Sequence, residues 1–550
     1  MKKILKRNKI KWLDLKKFRH FDKPHKTYVD IKDNPKYCNE NTKSCNKVKN
    51  VVSDPDEVAK HSFYPFIAFE INERKISKIK AQRERIKFLK RKIEEGNQES
   101  KLELNSLEQN FRNKIIKKRP IKYASHMDGH IYSYYASSIL QKYEEKVKEY
   151  DLDKEVLAYR KSSEGEPHNN ITMAKDLFTE IINRNCNCVA LAYDLKSFYD
   201  NIDHKKLKEL WCKVLGVEQL PPDHYNIYKS LTKFCYVDLK DICKYFNYES
   251  CCKTKKYCDC NLCNKPKLSK LPKCLFKNAS DFHKFKQKLG KDIFKKNEGL
   301  KDKENPYGIP QGSALSSVLS NIYMLNFDIA VKKYVKDLNG IYRRYCDDII
   351  IICNIQNKDK IDLFLREEIK QTGSHLEIHK IEEGYKYSKS QIYDFNDKEK
   401  IKQKPLQYLG FCFDGNIVTI RGSSLARYYR KAHNGVIAMR LSALKNMYNI
   451  VKNGEKLNNN QNKLYRKKLY ERYTPLGKNN FFTYVDRAFK DMAGVDNTRI
   501  RKQLSNHLKK LKQDIDYENL YIKNAWDYLS ENKELPDFKT FLKRIKFDKH

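Results

Sequence analysis

Residues 341 to 353 read Ile341-Tyr342-Arg343-Arg344-Tyr345-Cys346-Asp347-Asp348-Ile349-Ile350-Ile351-Ile352-Cys353. Two adjacent carboxylates stand between a polar, basic approach and a β-branched apolar run. The pattern predicts a tight hairpin with both acids at its tip and its strands in a core. Adjacent acids at a buried turn repel each other and lose hydration, which costs stability unless a partner compensates. Hard divalent cations, Mg²⁺ or Mn²⁺, prefer carboxylate oxygens and would be that partner. Taken alone, the stretch also reads as a solvated Asp-Asp turn at a strand start.

Two further segments weigh against that bland interpretation. Upstream, Val189-Ala190-Leu191-Ala192-Tyr193-Asp194-Leu195-Lys196-Ser197-Phe198-Tyr199-Asp200 is an apolar strand running into an acid, followed by a helical stretch from Ile202. Asp200 reads as a cap for that helix rather than a ligand. Between the acidic segments lies Gly308-Ile309-Pro310-Gln311-Gly312-Ser313-Ala314-Leu315, a Pro/Gly turn with a Ser cap. It opens a helix in which Leu315, Leu319 and Ile322 recur at helical spacing.

This order of acid-ended strand, Pro-Gln-Gly loop with helix, and Tyr-Cys-Asp-Asp hairpin resembles motifs A, B and C of reverse transcriptases. The resemblance implies an α+β, right-hand polymerase with fingers and palm of reverse-transcriptase type. It implies nucleotidyl transfer assisted by two metal ions, which stabilise the attacking oxygen and the leaving pyrophosphate. Asp194 and Asp347 would bridge the ions, Asp348 would complete the carboxylate set, and the Leu195 carbonyl would be an extra ligand. Tyr199, five residues after Asp194, would stack under the incoming sugar and clash with a 2′-hydroxyl; a core aromatic is the alternative. Gln311 would lie beside the nascent base pair. The segments Lys118-Arg119-Pro120-Ile121-Lys122-Tyr123 and Val156-Leu157-Ala158-Tyr159-Arg160-Lys161 resemble fingers motifs, making Arg119, Arg160 and Lys161 candidates for gripping the triphosphate. Lys380 stands where such enzymes carry a general acid toward pyrophosphate, in a segment that departs from the usual pattern.

Composition agrees with a polyanionic partner. Lys and Arg total 112 against 70 Asp and Glu, a formal net charge of +42. Such an excess suits RNA or single-stranded DNA, acting through counterion release. The basic N-terminus Met1-Lys2-Lys3-Ile4-Leu5-Lys6-Arg7 is followed by no apolar region of signal-peptide length, and no run suffices to cross a bilayer. The expectation is a cytoplasmic protein whose 16 cysteines are reduced. Five of them crowd into residues 251–263. Cys260 and Cys263 have zinc-ligand spacing, with Cys258 and either Cys251 or Cys252 to complete four thiolates. A Lys-rich insertion loop with incidental cysteines is the competing reading.

Along the chain, residues 1–117 read as a basic, largely helical extension, with Ile76, Ile79, Ile86, Leu89 and Ile93 at helical spacing. Residues 118–185 would be fingers, 186–424 palm with the Cys-rich insertion near 240–300, and 425–550 an all-α, thumb-like domain. The segment Leu406-Gln407-Tyr408-Leu409-Gly410-Phe411-Cys412-Phe413-Asp414-Gly415 reads as one alternating strand ending in a turn, similar to a primer grip.

Several phrases narrow the resemblance, namely Lys122-Tyr123-Ala124-Ser125-His126-Met127-Asp128, Tyr408-Leu409-Gly410-Phe411, Arg421-Gly422-Ser423-Ser424-Leu425 and Tyr473-Thr474-Pro475-Leu476-Gly477. They are similar to the bacterial defence branch, the abortive-infection and unknown-group reverse transcriptases. That branch implies deoxynucleoside triphosphates as substrates, synthesis templated by RNA or template-independent, and a role against phage. It also implies self-assembly into homo-oligomers. The alternatives are a retron-like or intron-derived enzyme, which would carry a non-coding RNA, and a non-catalytic RNA-binding scaffold on a polymerase fold.

Overall fold

The computed structural model describes residues 48, 50–74, 76–95, 99–109, 116–160, 169–246, 275–276, 279–381, 388–458, 461, 463–531 and 535–545. Lys161 and Cys251, Cys252, Cys258, Cys260 and Cys263 lie outside them. Two compact units form, one from Met1–Glu166 with Leu191–Ile392, the other from Pro167–Ala190 with Tyr393–His550. Among the described residues no single helix is long and apolar enough to cross a membrane.

The strands, in chain order, are β1 (Phe66–Arg74), β2 (Ile116–Tyr123), β3 (Val189–Asp194), β4 (Cys235–Asp238) and β5 (Lys295–Lys296). They continue with β6 (Ile341–Tyr345), β7 (Asp348–Cys353), β8 (Gln391–Asp394), β9 (Leu406–Tyr408), β10 (Phe411–Phe413) and β11 (Val418–Ile420). They make three sheets with orders β2-β1-β4-β5, β6-β7-β3-β8 and β11-β10-β9. In the first, β1 runs antiparallel to β2 and parallel to β4, over a core that includes Ile67, Tyr123, Val237, Ile242, Phe276 and Phe285. Between β1 and β2 come the helices Ile76–Glu94 and Glu99–Gln109, as the apolar spacing predicts, joined by an ion pair of Arg85 with Glu103 at 2.8 Å.

The second sheet carries the acids. Register pairs Tyr345 with Asp348, so Cys346 and Asp347 form a two-residue hairpin loop. Such loops need positive φ, and Cys346 adopts +59°. Ile349 to Cys353 are all buried, the continuous apolar run of a strand covered on both faces. The helices Ala314–Tyr323 and Leu325–Asp337 are also heavily buried, with Leu315, Leu319 and Ile322 inward as the spacing predicts.

At this hairpin Arg344 has 0% exposed side chain and pairs with the equally buried Asp328. Its Nε and Nη2 donate to the two Asp328 oxygens at 2.7 and 2.6 Å. Nη1 reaches the Asn321 side chain at 3.2 Å and the Cys346 carbonyl at 3.0 Å, and the Tyr342 hydroxyl donates to Asp328 at 2.6 Å. A charge cannot stay buried without such saturation.

In the second unit, the helices Gly422–Lys452 and His507–Glu531 share a core of Val436, Leu444, Met447, Leu511, Ile515 and Ile522. The expected single primer-grip strand is instead the antiparallel pair β9 and β10. Leu409 and Gly410, at φ +45° and +99°, turn the chain between them. The helix expected from Ile202 begins at His204, and its N-cap is Asp203, which accepts from the Lys206 amide at 2.9 Å; Asp200 sits in a short 3₁₀ turn before it.

Asp328→Ala would strand the buried Arg344 guanidinium, and the expected loss is about 3–5 kcal/mol. Urea unfolding of the purified protein measures it, and a loss below about 1 kcal/mol would show the pair to be weakly coupled to folding.

Candidate functional site

Asp194 closes β3, and the next amide fixes it against the hairpin. The Leu195 N–H donates to the Asp347 carbonyl at 3.3 Å, while Leu195 itself is buried and bridges to Ile378. The Lys196 amide donates to the Glu377 carbonyl at 2.8 Å, and the Lys196 ammonium pairs with the Glu377 carboxylate at 2.7 Å. Strand end and hairpin tip are thus held together through backbone. Asp347 is half-buried and Asp348 exposed.

The Asp194 carboxylate, 26% exposed, faces Lys389 Nζ at 3.1 Å and His379 Nε2 at 3.4 Å. Those two nitrogens lie 2.7 Å apart. Burial, then the neighbouring Lys389 ammonium, lowers the His379 imidazole below its ordinary value. Neither contact was legible in the sequence, which singled out no partner for Asp194. Among the described residues no three His, Cys, Asp or Glu side chains gather into a group that could hold a metal ion. The donors are the hard oxygens that Mg²⁺ or Mn²⁺ prefers, carried on neighbouring strand ends.

The Pro-Gln-Gly loop is stitched to the segment after Asp194. The amides of Gly308 and Ile309 donate to the carbonyls of Ile202 and Tyr199 at 2.8 and 2.9 Å, and His204 Nε2 lies 2.8 Å from the Gly308 carbonyl. Asn297 Nδ2 donates to the same carbonyl at 3.0 Å and to that of Tyr307 at 2.8 Å. Gln311 accepts from the Lys122 amide at 3.0 Å. Gly312 is required there, since a Cβ would lie 2.7 Å from the Lys122 carbonyl and φ is +125°. Ser313 then caps the helix by accepting from the Leu315 amide at 3.3 Å.

Tyr199 is half-buried with its hydroxyl 3.5 Å from Cys346 Sγ. Burial raises its phenol well above its ordinary value and the Cys346 thiol above its own, so both stay protonated near neutral pH. Tyr159 interacts with both groups.

The expected phosphate cations separate. Arg119 lies on β2 opposite Ile71 and is half-buried. The expectation for Arg160 is corrected: its side chain is 1% exposed and pairs with Glu144 at 2.8 Å and Asp153 at 2.7 Å. Its Nη1 also donates to the Val156 carbonyl at 2.6 Å. With its fork occupied, Arg160 is a structural tie. Lys122 was missed as a cation. It is half-buried over the rings of Phe234 and Tyr236 at 5.3 and 5.2 Å, and burial lowers its pKa while Asp200 and Glu298 oppose that shift. Only the β2 register, which brings it to Gln311, distinguishes it from the other lysines.

Residues 267–413 match the family model described as reverse transcriptase (RNA-dependent DNA polymerase). This segment carries a reverse transcriptase domain. It includes Gln311, Asp347 and Asp348, with Asp194 and Tyr199 upstream. Curated proteins yield no sequence match. Solved structures similar to the chain include apo telomerase from Candida tropicalis truncated from the C-terminal domain, at 12% identity and TM-score 0.32, covering 56% of this chain and 54% of that one. Telomerase from Candida albicans with a TWJ fragment of telomeric RNA gives 10% identity and TM-score 0.30, covering 77% and 65%. Apo telomerase from Candida tropicalis gives 12% identity and TM-score 0.33, covering 78% and 64%. The chain thus spans between about half and two thirds of those telomerase chains.

Gly312→Ala is expected to destabilise the protein by about 1–3 kcal/mol through the forced left-handed backbone and the Lys122 carbonyl clash. Thermal denaturation beside Gly216→Ala, where nothing lies within 4 Å of the added Cβ and φ is +72°, separates the clash from the backbone term; equal losses would remove the clash from the account.

Proposed function

We propose that the chain is a DNA polymerase of the reverse-transcriptase type that adds deoxynucleotides to a growing strand. The observation carrying this reading is the 3.3 Å hydrogen bond from the Leu195 amide to the Asp347 carbonyl. It sets the three acids on adjoining strand ends beside a Pro-Gln-Gly loop tied to Tyr199. Asp194, Asp347, Asp348 and the Leu195 carbonyl would hold two Mg²⁺ or Mn²⁺ ions, which supply charge stabilisation at the attacking and leaving oxygens when bound. Tyr199 bars the ribose 2′-hydroxyl, Gln311 borders the nascent pair, and Arg119 with Lys122 meets the triphosphate. The net charge of +42 favours RNA or single-stranded DNA as partner.

The biological reading is antiphage defence, with a DNA product templated by RNA or made without a template. It rests on the defence-branch phrases in the sequence. A protein assembling with its own copies in the cytoplasm fits that reading.

Asp194→Asn and Asp347→Asn, each removing one charge from the metal clamp, should reduce incorporation at least about a hundredfold without changing the unfolding midpoint. A Mg²⁺-dependent incorporation assay with purified protein measures this, and full activity in either variant would discard the assignment. Expression in bacteria should restrict some phages, and Asp347→Asn/Asp348→Asn should restore plaques. Equal plating of wild type and variant across a broad panel would overturn the defence role and leave the polymerase assignment to the incorporation assay.

A further inference from the structure

Among the described residues Tyr159 is the one aromatic with a left-handed backbone, at φ +61°. Bulky residues avoid that region, and when one is found there its surroundings enforce it, often at a functional site. Both flanks of Tyr159 are clamped. On one side the Leu157 amide donates to the Arg344 carbonyl at 2.9 Å, and Asn321 Nδ2 donates to the Ala158 carbonyl at 2.7 Å. On the other, the Arg160 fork is locked onto Glu144, Asp153 and the Val156 carbonyl. A local hydrogen-bond network that holds an unfavourable conformation would normally bury the ring it positions. Tyr159 is instead 46% exposed. Its hydroxyl end meets the Tyr199 hydroxyl and the Cys346 thiol, and those two lie 3.5 Å apart.

We propose that Tyr159 is a positioning residue for sugar selection, a second aromatic wall that keeps the Tyr199 ring from tilting away from an incoming ribose. The proposal rests on the reading of Tyr199 as the sugar gate. Excluding a 2′-hydroxyl requires a wall that does not yield, and displacements near 1 Å are enough to undo such geometry. Tyr199 is half-buried, with its phenol end against Cys346 at the hairpin tip. The Tyr159 hydroxyl meets that same phenol end, and the residue is held from both flanks by the Leu157, Ala158 and Arg160 contacts. Arg160 acts through the same clamp, which accounts for a fully engaged guanidinium beside an exposed ring.

The test uses the full chain and measures kcat/KM for a deoxynucleotide and for the matching ribonucleotide. Tyr159→Gly removes the ring at a φ that glycine adopts without strain. It should lower the deoxy-to-ribo ratio about tenfold, while Tyr159→Phe stays near wild type. A purely structural Tyr159 would slow both nucleotides together and leave the ratio unchanged. An unchanged ratio in Tyr159→Gly, with Tyr199→Ala lowering it, overturns the proposal alone. If Tyr199→Ala also leaves the ratio unchanged, the gate reading fails and takes the proposal with it. Should the glycine variant not fold, Tyr159→Leu against Tyr159→Phe decides: a lowered ratio only in the leucine variant supports the proposal, and equal ratios overturn it.

Discussion

The buried pair of Arg344 with Asp328 is the constraint on which the acid-bearing hairpin of this chain depends. Two charges at 0% exposure survive because every Arg344 nitrogen and both Asp328 oxygens are engaged. Asp328 takes both guanidinium contacts and the Tyr342 hydroxyl, and the remaining Arg344 nitrogen turns to Asn321 and to the carbonyl of Cys346. From there the network runs outward. The Cys346 carbonyl belongs to the hairpin loop that carries Asp347. Asn321, on the helix after the Pro-Gln-Gly loop, also binds the Ala158 carbonyl next to Tyr159. Hydrophobic packing alone is non-directional and would not set that loop to a fraction of an ångström.

Around this anchor, the site is assembled by main-chain hydrogen bonds more than by side-chain contacts. Leu195 to Asp347, Lys122 to Gln311, and Gly308 and Ile309 to Ile202 and Tyr199 join segments far apart in sequence. Backbone ties tolerate side-chain change, so the chemistry-bearing positions can be held in place while neighbouring residues vary. The glycine at 312 shows the same economy, since close approach of backbone to backbone leaves no room for a Cβ.

Charge is managed locally within an overwhelmingly cationic chain. The Asp194 carboxylate faces Lys389 and His379, and Lys122 rests on two aromatic rings with Asp200 and Glu298 nearby.

Much was legible in the sequence because it depends on period and local chemistry. The Ile-rich run after Asp348 forms a buried strand, the spacing of Leu315, Leu319 and Ile322 forms a core helix, and residues 425 onward are largely helical. Local signals did not separate one primer-grip strand from the β9–β10 hairpin, because the turn depends on the left-handed backbone at Leu409 and Gly410. They also did not show that Arg344 is buried while Arg343 keeps some exposure, or that Arg160 is a tie and Lys122 a cation at the Gln311 loop. They did not show that His379 and Lys389 sit on Asp194. The physical reason is common to these cases. Alternation and helical spacing follow from neighbours along the chain, whereas the partner of a charge is decided by which strands and loops meet in space, and only the tertiary structure makes that choice.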